Sequence, residues 1–205
     1  MGDSLLTSPQ LAYTGIWLHD ESALVTVAQS LRPGSDLDIA IVRNGGRGPI
    51  EPVVATRFVE QYPALSRDDQ WLAFSSNQSG RDEVYVRRLD GKGDQVQVSV
   101  GGGTESVWSP DGRELYYRGA LNAESHAEPA MMVATIATTP TLAVTSRKEL
   151  FPGQGIVTTN PHSDFDVSPD GKSFAFVRSN PSSRVMVIQN LAAMVAHRRV
   201  GGRTP

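Results

Sequence analysis

"SVWSPDGRELYY", residues 106–117, sets a Ser-Pro-Asp-Gly turn between two apolar runs, and a near copy, "FDVSPDGKSFAFV", returns at 165–177. The turn has a mechanical reading. Proline holds φ at about −65°, which suits the second position of a type I turn, so Pro110 and Pro169 fall there. Asp111 and Asp170 then take the third position, where a short carboxylate accepts nearby backbone N–H bonds. Gly112 and Gly171 supply the positive φ that closes a hairpin through a bulge. The runs that follow, "ELYY" and "SFAF", are short, β-prone and aromatic, as buried strands are.

Aligned on the turn aspartate, the chain contains two further copies: "ALSRDDQWLAF" around Asp68 and "IWLHDESALVTV" around Asp20. In the Asp20 copy His19-Asp20 replaces Pro-Asp and no glycine follows, so the sequence leaves its turn geometry open. The four aspartates stand 48, 43 and 59 residues apart. Two of these spacings fall close to the ~40–45 residues of a propeller blade, and the third implies an insertion. The second half of each unit recurs as well. Residues 74–100 read as strand, Ser/Asn/Gly turn, strand "EVYVRRL", Asp-Gly-Lys-Gly turn and strand "QVQVSV"; the first unit places strands at 24–28, 37–43 and 50–55. Four short antiparallel strands per unit make one blade.

The expected fold is therefore all-β: a β-propeller segment of about four four-stranded antiparallel blades, at about 14–57, 58–100, 101–150 and 151–190, after a lead-in at 1–13. Blade-to-blade packing should rest on Trp71, Phe74, Tyr85, Trp108, Tyr116, Phe174 and Phe176. A short helix is expected at 189–200, where Leu191, Met194 and Val195 share a face and Gly201 caps the end, followed by a tail at 201–205. The repeated turn, with Pro110, Asp111, Gly112, Pro169, Asp170, Gly171 and Asp68 as its structural residues, reads as scaffolding rather than catalysis.

These units resemble the TolB-like, WD-repeat-like β-propellers, marked by an "SPDG[KR]" hairpin followed by "F/YxSxxSGxxxVYV". The matching segments are "YPALSRDDQWLAFSSNQSGRDEVYVRRL", "QVSVGGGTESVWSPDGRELYYR", "MMVATI" and "FDVSPDGKSFAFVR". Within that group the resemblance is closest to the last blades of propellers attached to bacterial serine/threonine kinases. It implies a non-catalytic protein-interaction or ligand-sensing module, the C-terminal part of a larger bacterial protein. The alternatives are a TolB-like periplasmic scaffold, or the propeller gate of a serine peptidase lacking its catalytic domain. The resemblance implies a periplasmic or extracytoplasmic location; without it, a cytoplasmic one stands. The family's rings hold more than four blades, and open blade edges invite self-association as the weaker option.

Composition and motifs narrow the chemistry. A formal charge of −3 argues against nucleic acid as a partner. No run reaches the roughly 18 apolar residues of a membrane span. Cysteine is absent, which excludes disulfides and thiolate metal sites. The sequence carries no kinase glycine-rich loop, H-R-D or D-F-G segment, no phosphate-binding Walker pattern and no G-x-S-x-G elbow. The four histidines lie far apart and lack metal-ligand spacing, and the acidic pairs Asp68-Asp69, Asp82-Glu83, Asp164/Asp166 and Asp36/Asp38 read as turn or strand-end residues. The expectation is a chain that is not an enzyme and binds no cofactor or metal. Recognition of a protein partner or small ligand is expected at the propeller rim. The long loops 118–132 and 151–165 are the candidates, with His126, His162 and Asp164 as their candidate ligand residues.

Overall fold

A computed structural model describes residues 12–121, 129–153, 163–178 and 184–189. The first sheet contains β1 (Ala12–Trp17), β2 (Leu24–Gln29), β3 (Leu37–Val42) and β4 (Ile50–Val54). The second contains β5 (Glu60–Leu65), β6 (Trp71–Ser76), β7 (Glu83–Arg88) and β8 (Val96–Gln97). The third contains β9 (Gly103–Trp108), β10 (Glu114–Gly119), β11 (Ala130–Ala137) and β12 (Ala143–Phe151). Among the described residues the fourth has three strands, β13 (Phe165–Val167), β14 (Ser173–Arg178) and β15 (Arg184–Gln189). Every sheet is an antiparallel meander, and the first strands β1, β5, β9 and β13 lie next to one another in series. Sheets stacked face to face with their first strands gathered at one axis make a β-propeller segment.

Apolar side chains pack each sheet on the next. Val25, Ile39 and Ile41 of the first sheet meet Leu72, Phe74 and Tyr85 of the second. Ala73, Val84 and Val86 of the second meet Trp108, Leu115 and Tyr117 of the third. The third and fourth sheets share an aromatic cluster. There Phe174 lies edge-on to Tyr116, with ring centroids 5.0 Å apart, and Phe151 edge-on to Phe176 at 5.6 Å. Such pairs add ~0.5–1.5 kcal/mol each beyond the area they bury. Of the residues expected to hold the stack, only Trp71 departs. It is half-buried at the edge of its cluster, because it opens the second strand next to the turn.

The turn repeats in all four sheets. Gly112 donates to the Ser109 carbonyl at 2.9 Å and Gly171 to the Ser168 carbonyl at 2.8 Å, with φ of +70° and +69° at the glycines. In the second sheet Asp69 donates to Ser66 at 2.9 Å with φ +55°, and in the first Glu21 donates to Leu18 at 2.9 Å with φ +56°. The turn left open by the sequence thus adopts the same path without proline or glycine. The serine that starts three of the turns is as important as the proline. Ser109 Oγ donates to Asp111 Oδ1 at 2.7 Å and accepts the Glu114 amide at 2.9 Å, while Asp111 Oδ1 accepts the Arg113 amide at 3.1 Å. Ser66/Asp68 and Ser168/Asp170 repeat these bonds. The serine hydroxyl bond, with the following amide, holds the Asp111 and Asp170 carboxyls below their ordinary range.

Two segments differ from the sequence reading. "QVQVSV" pairs over only Val96–Gln97, because Val98 and Ser99 turn in to the Val84 carbonyl and then to the next sheet. Gln189, the expected first residue of the C-terminal helix, closes β15 instead; the rest of that segment lies outside the described residues. Among the described residues no helix is long and apolar enough to cross a membrane.

Candidate functional site

The axial face is built by a bulge that recurs in the first strands. Tyr13–Thr14, Tyr62–Pro63 and Glu105–Ser106 each set two residues opposite a single partner, between Ala12/Gly15, Gln61/Ala64 and the Tyr116/Arg118 shift. Tyr62 and Glu105 hold φ of +53°, a left-handed backbone that is rare for large side chains and that re-aims them. Beside these bulges lies a cleft of about 410 Å³ to which all four first strands or the residues just before them contribute. Thr14 and Ile16 come from the first sheet, Pro63 and Leu65 from the second, Ser106 and Trp108 from the third, and Ser163 and Phe165 from the fourth. Its walls are mostly apolar. The Trp108 indole is fixed by donating to the Ala64 carbonyl at 3.3 Å, while the buried Ser106 Oγ has no hydrogen-bond partner among the described residues.

A buried polar group underlies the bulges. Glu105 and Arg118 pair at 3.4 Å with side chains 0% and 4% exposed, and Glu105 Oε2 accepts the Asp164 amide at 3.0 Å. Burial, with Glu105, Asp82 and Asp164 nearby, pushes the Tyr62 phenol far up, so it stays neutral. Burial also raises the Asp82 carboxyl. Breaking a buried pair such as Glu105–Arg118 leaves one charge uncompensated, and the Glu105 bond to the Asp164 amide ties the third sheet to the fourth.

The expected ligand residues fall differently. Asp164 is buried and its carbonyl accepts the Val177 amide at 2.9 Å, which places it beneath the cleft rather than on the rim. His126 and His162 lie outside the described residues. Two members of the acidic pairs serve their own surroundings: Asp38 Oδ2 accepts the Leu31 amide at 2.6 Å and the Ser35 hydroxyl at 2.7 Å, and buried Glu83 accepts the Ser99 hydroxyl and the Gly102 amide. His19 and Asp69 form a pair at 2.9 Å, but no hydroxyl is bonded to His19 among the described residues. Among those residues no three His, Asp or Glu side chains group as metal ligands. The sequence reading missed Tyr62, Glu105, Ser106 and Arg118. Their signal was a charge or hydroxyl inside β-prone runs, as in "GTESVW" and "ELYYRG".

No family model matches this chain, and no curated protein does. Solved structures do. TolB from Acinetobacter baumannii superposes with a TM-score of 0.64 over 92% of this chain at 18% identity. The putative TolB from Agrobacterium tumefaciens gives 0.59 over 84% at 15%, and a prolyl endopeptidase gives 0.59 over 88% at 15%. The chain spans 43%, 59% and 28% of those proteins' own lengths. At such identities the likeness is one of fold, and the fold is a β-propeller.

Proposed function

We propose that this chain is a non-catalytic β-propeller module that binds a protein segment or small ligand, and that it is the C-terminal part of a larger bacterial protein of the serine/threonine kinase type. The observation that carries the binding role is the axial cleft. Four sheets supply its walls, a bulge shapes each of three of them, and the buried Ser106 hydroxyl, without a partner among the described residues, suits a ligand donor or acceptor. The kinase link rests on the "SPDG[KR]" and "VYV" segments alone. A TolB-like scaffold is the second reading, favoured by the superposition on the Acinetobacter protein.

A photo-crosslinking residue at Leu65, in the cleft, tests the binding role inside the source cell. A discrete adduct is expected there, and none from the same residue at exposed Val100. Equal labelling from both positions overturns the proposal. So does ATP or peptide turnover by the purified chain that one point substitution abolishes. The gene's frame upstream of Met1 separates the kinase reading from the scaffold: a kinase domain supports the first, a signal peptide with no kinase domain the second.

A further inference from the structure

At one end of the propeller the turns of successive sheets face one another across three junctions. His19, Arg67 and Pro110 occupy the same turn position in successive sheets, and Asp69, Gly112 and Gly171 the position that faces each from the next sheet. Between the first and second sheets the junction is latched: the His19 amide and Nδ1 meet the Asp69 carboxylate at 2.8 and 2.9 Å. Between the third and fourth the turns stand close, with Pro110 Cδ 3.7 Å from where a Cβ on Gly171 would stand. Between the second and third neither device is present. Arg67 has Gly112 opposite it, and a cleft of about 410 Å³ remains between the two turns. Past Trp71 and Thr138 it continues into a second cleft of about 340 Å³, bordered by Arg88, Lys92 and Leu142.

The groove's donors divide into two pairs: Arg88 and Lys92 meet Asp90, whereas Arg113 lies near enough to Asp111 to help lower its carboxyl without bonding it. Arg67 and Arg113 form no ion pair with any described carboxylate. The adjacent Asp68 and Asp111 each direct Oδ1 to a serine hydroxyl and a backbone amide of their own turn. Half-buried Trp71 forms the floor, with the Arg88 guanidinium 5.6 Å from its ring centroid and tied down by Asp90 at 3.1 and 3.2 Å. The Trp71 indole N–H has no acceptor among the described residues, unlike that of Trp108. Two guanidinium forks and an indole donor around an aromatic floor fit a carboxylate carried between apolar neighbours.

We propose that this groove docks an extended segment of a partner protein through an Asp or Glu side chain. Its carboxylate takes, between Arg67 and Arg113, the place that Asp69 takes beside His19 one junction earlier. The site is separate from the axial cleft and stands or falls independently of it.

The test is a titration of the ¹⁵N-labelled full chain with acetylated, amidated Ala-Leu-Glu-Leu-Ala, read on the indole and arginine Nε–H signals. The signals of Trp71, Arg67 and Arg113 should shift, with about tenfold weaker binding for the Gln-containing peptide and for Arg67→Ala, and weakening with added salt. Gly112→Asp should abolish the shifts while leaving the remaining spectrum folded, because it installs an internal carboxylate at a positive-φ site of the kind Asp69 already tolerates. Equal binding of the Glu and Gln peptides overturns the proposal, as does unchanged binding by the double variant Arg67→Ala/Arg113→Ala. Shifts confined to Trp108 overturn it too, by assigning the peptide to the axial cleft.

Discussion

The first and third sheets make the same turn from different materials. Ser109-Pro110-Asp111-Gly112 carries its own supports: a pre-set φ, a hydroxyl bridging the aspartate and the next strand, and a glycine at the left-handed position. Leu18-His19-Asp20-Glu21 keeps only the aspartate, which accepts the Ser22 amide at 2.9 Å, and places glutamate at φ +56°. Its missing support comes from outside, through the bonds of His19 to Asp69 in the neighbouring sheet. The motif therefore marks turns that stand alone, and its decay marks a turn held by its neighbour.

The largest effect should come from removing the support that only the self-sufficient turns own. Ser109→Ala loses a bond to a carboxylate and leaves the Glu114 amide unsatisfied, a cost of about 2 kcal/mol, or roughly 4–8 °C in Tm for a chain of this size. Thermal unfolding that shows no loss would mean the hydroxyl is ornamental and the two turns are equivalent after all. Glycine exchange comes next and should change sign between the sheets. Gly112→Ala should cost about 1 kcal/mol, and Glu21→Gly should stabilise by a few tenths to about 1 kcal/mol, both read by denaturant midpoint. Smaller still is Asp69→Gly, where lost latch bonds and relieved positive φ oppose one another. Its net change should stay within about 0.5 kcal/mol, yet the amides around Glu21 should exchange with solvent faster while those around Gly112 do not.

The smallest effect is the response to acid. Asp111 and Asp170 have folded pKa values below the ordinary 3.8, so their contribution is present above that value and fades as pH falls through the lower folded one. Asp111→Asn should flatten the loss of stability below pH 3.8. Glu60 has the opposite sign: burial raises its pKa, so its protonation on acidification favours the folded state, and Glu60→Gln should remove that gain. Denaturation series at several pH values separate the two variants.

The fold was legible because its unit repeats. Proline, aspartate and glycine act through local backbone geometry, and a local rule is readable wherever it is written out in full, as around Asp111 and Asp170. It was half-legible around Asp20, where the support is a contact across 50 residues. The axial site was not legible for the same reason. Glu105, Arg118 and Tyr62 meet only after the second and third sheets have stacked, and their bulges appear in the sequence as ordinary β-prone letters. The open junction at Arg67 became visible only by contrast with its two neighbours.

Among the described residues the apolar interior is divided into three separate patches, each belonging to one pair of adjacent sheets. A molecule held this way behaves like a row of coupled spins, losing order from whichever end member is weakest while the middle persists. Mechanical pulling on such a chain should give a staircase of small ruptures instead of one, and a duplicated or deleted unit during evolution would disturb only the two seams it touches.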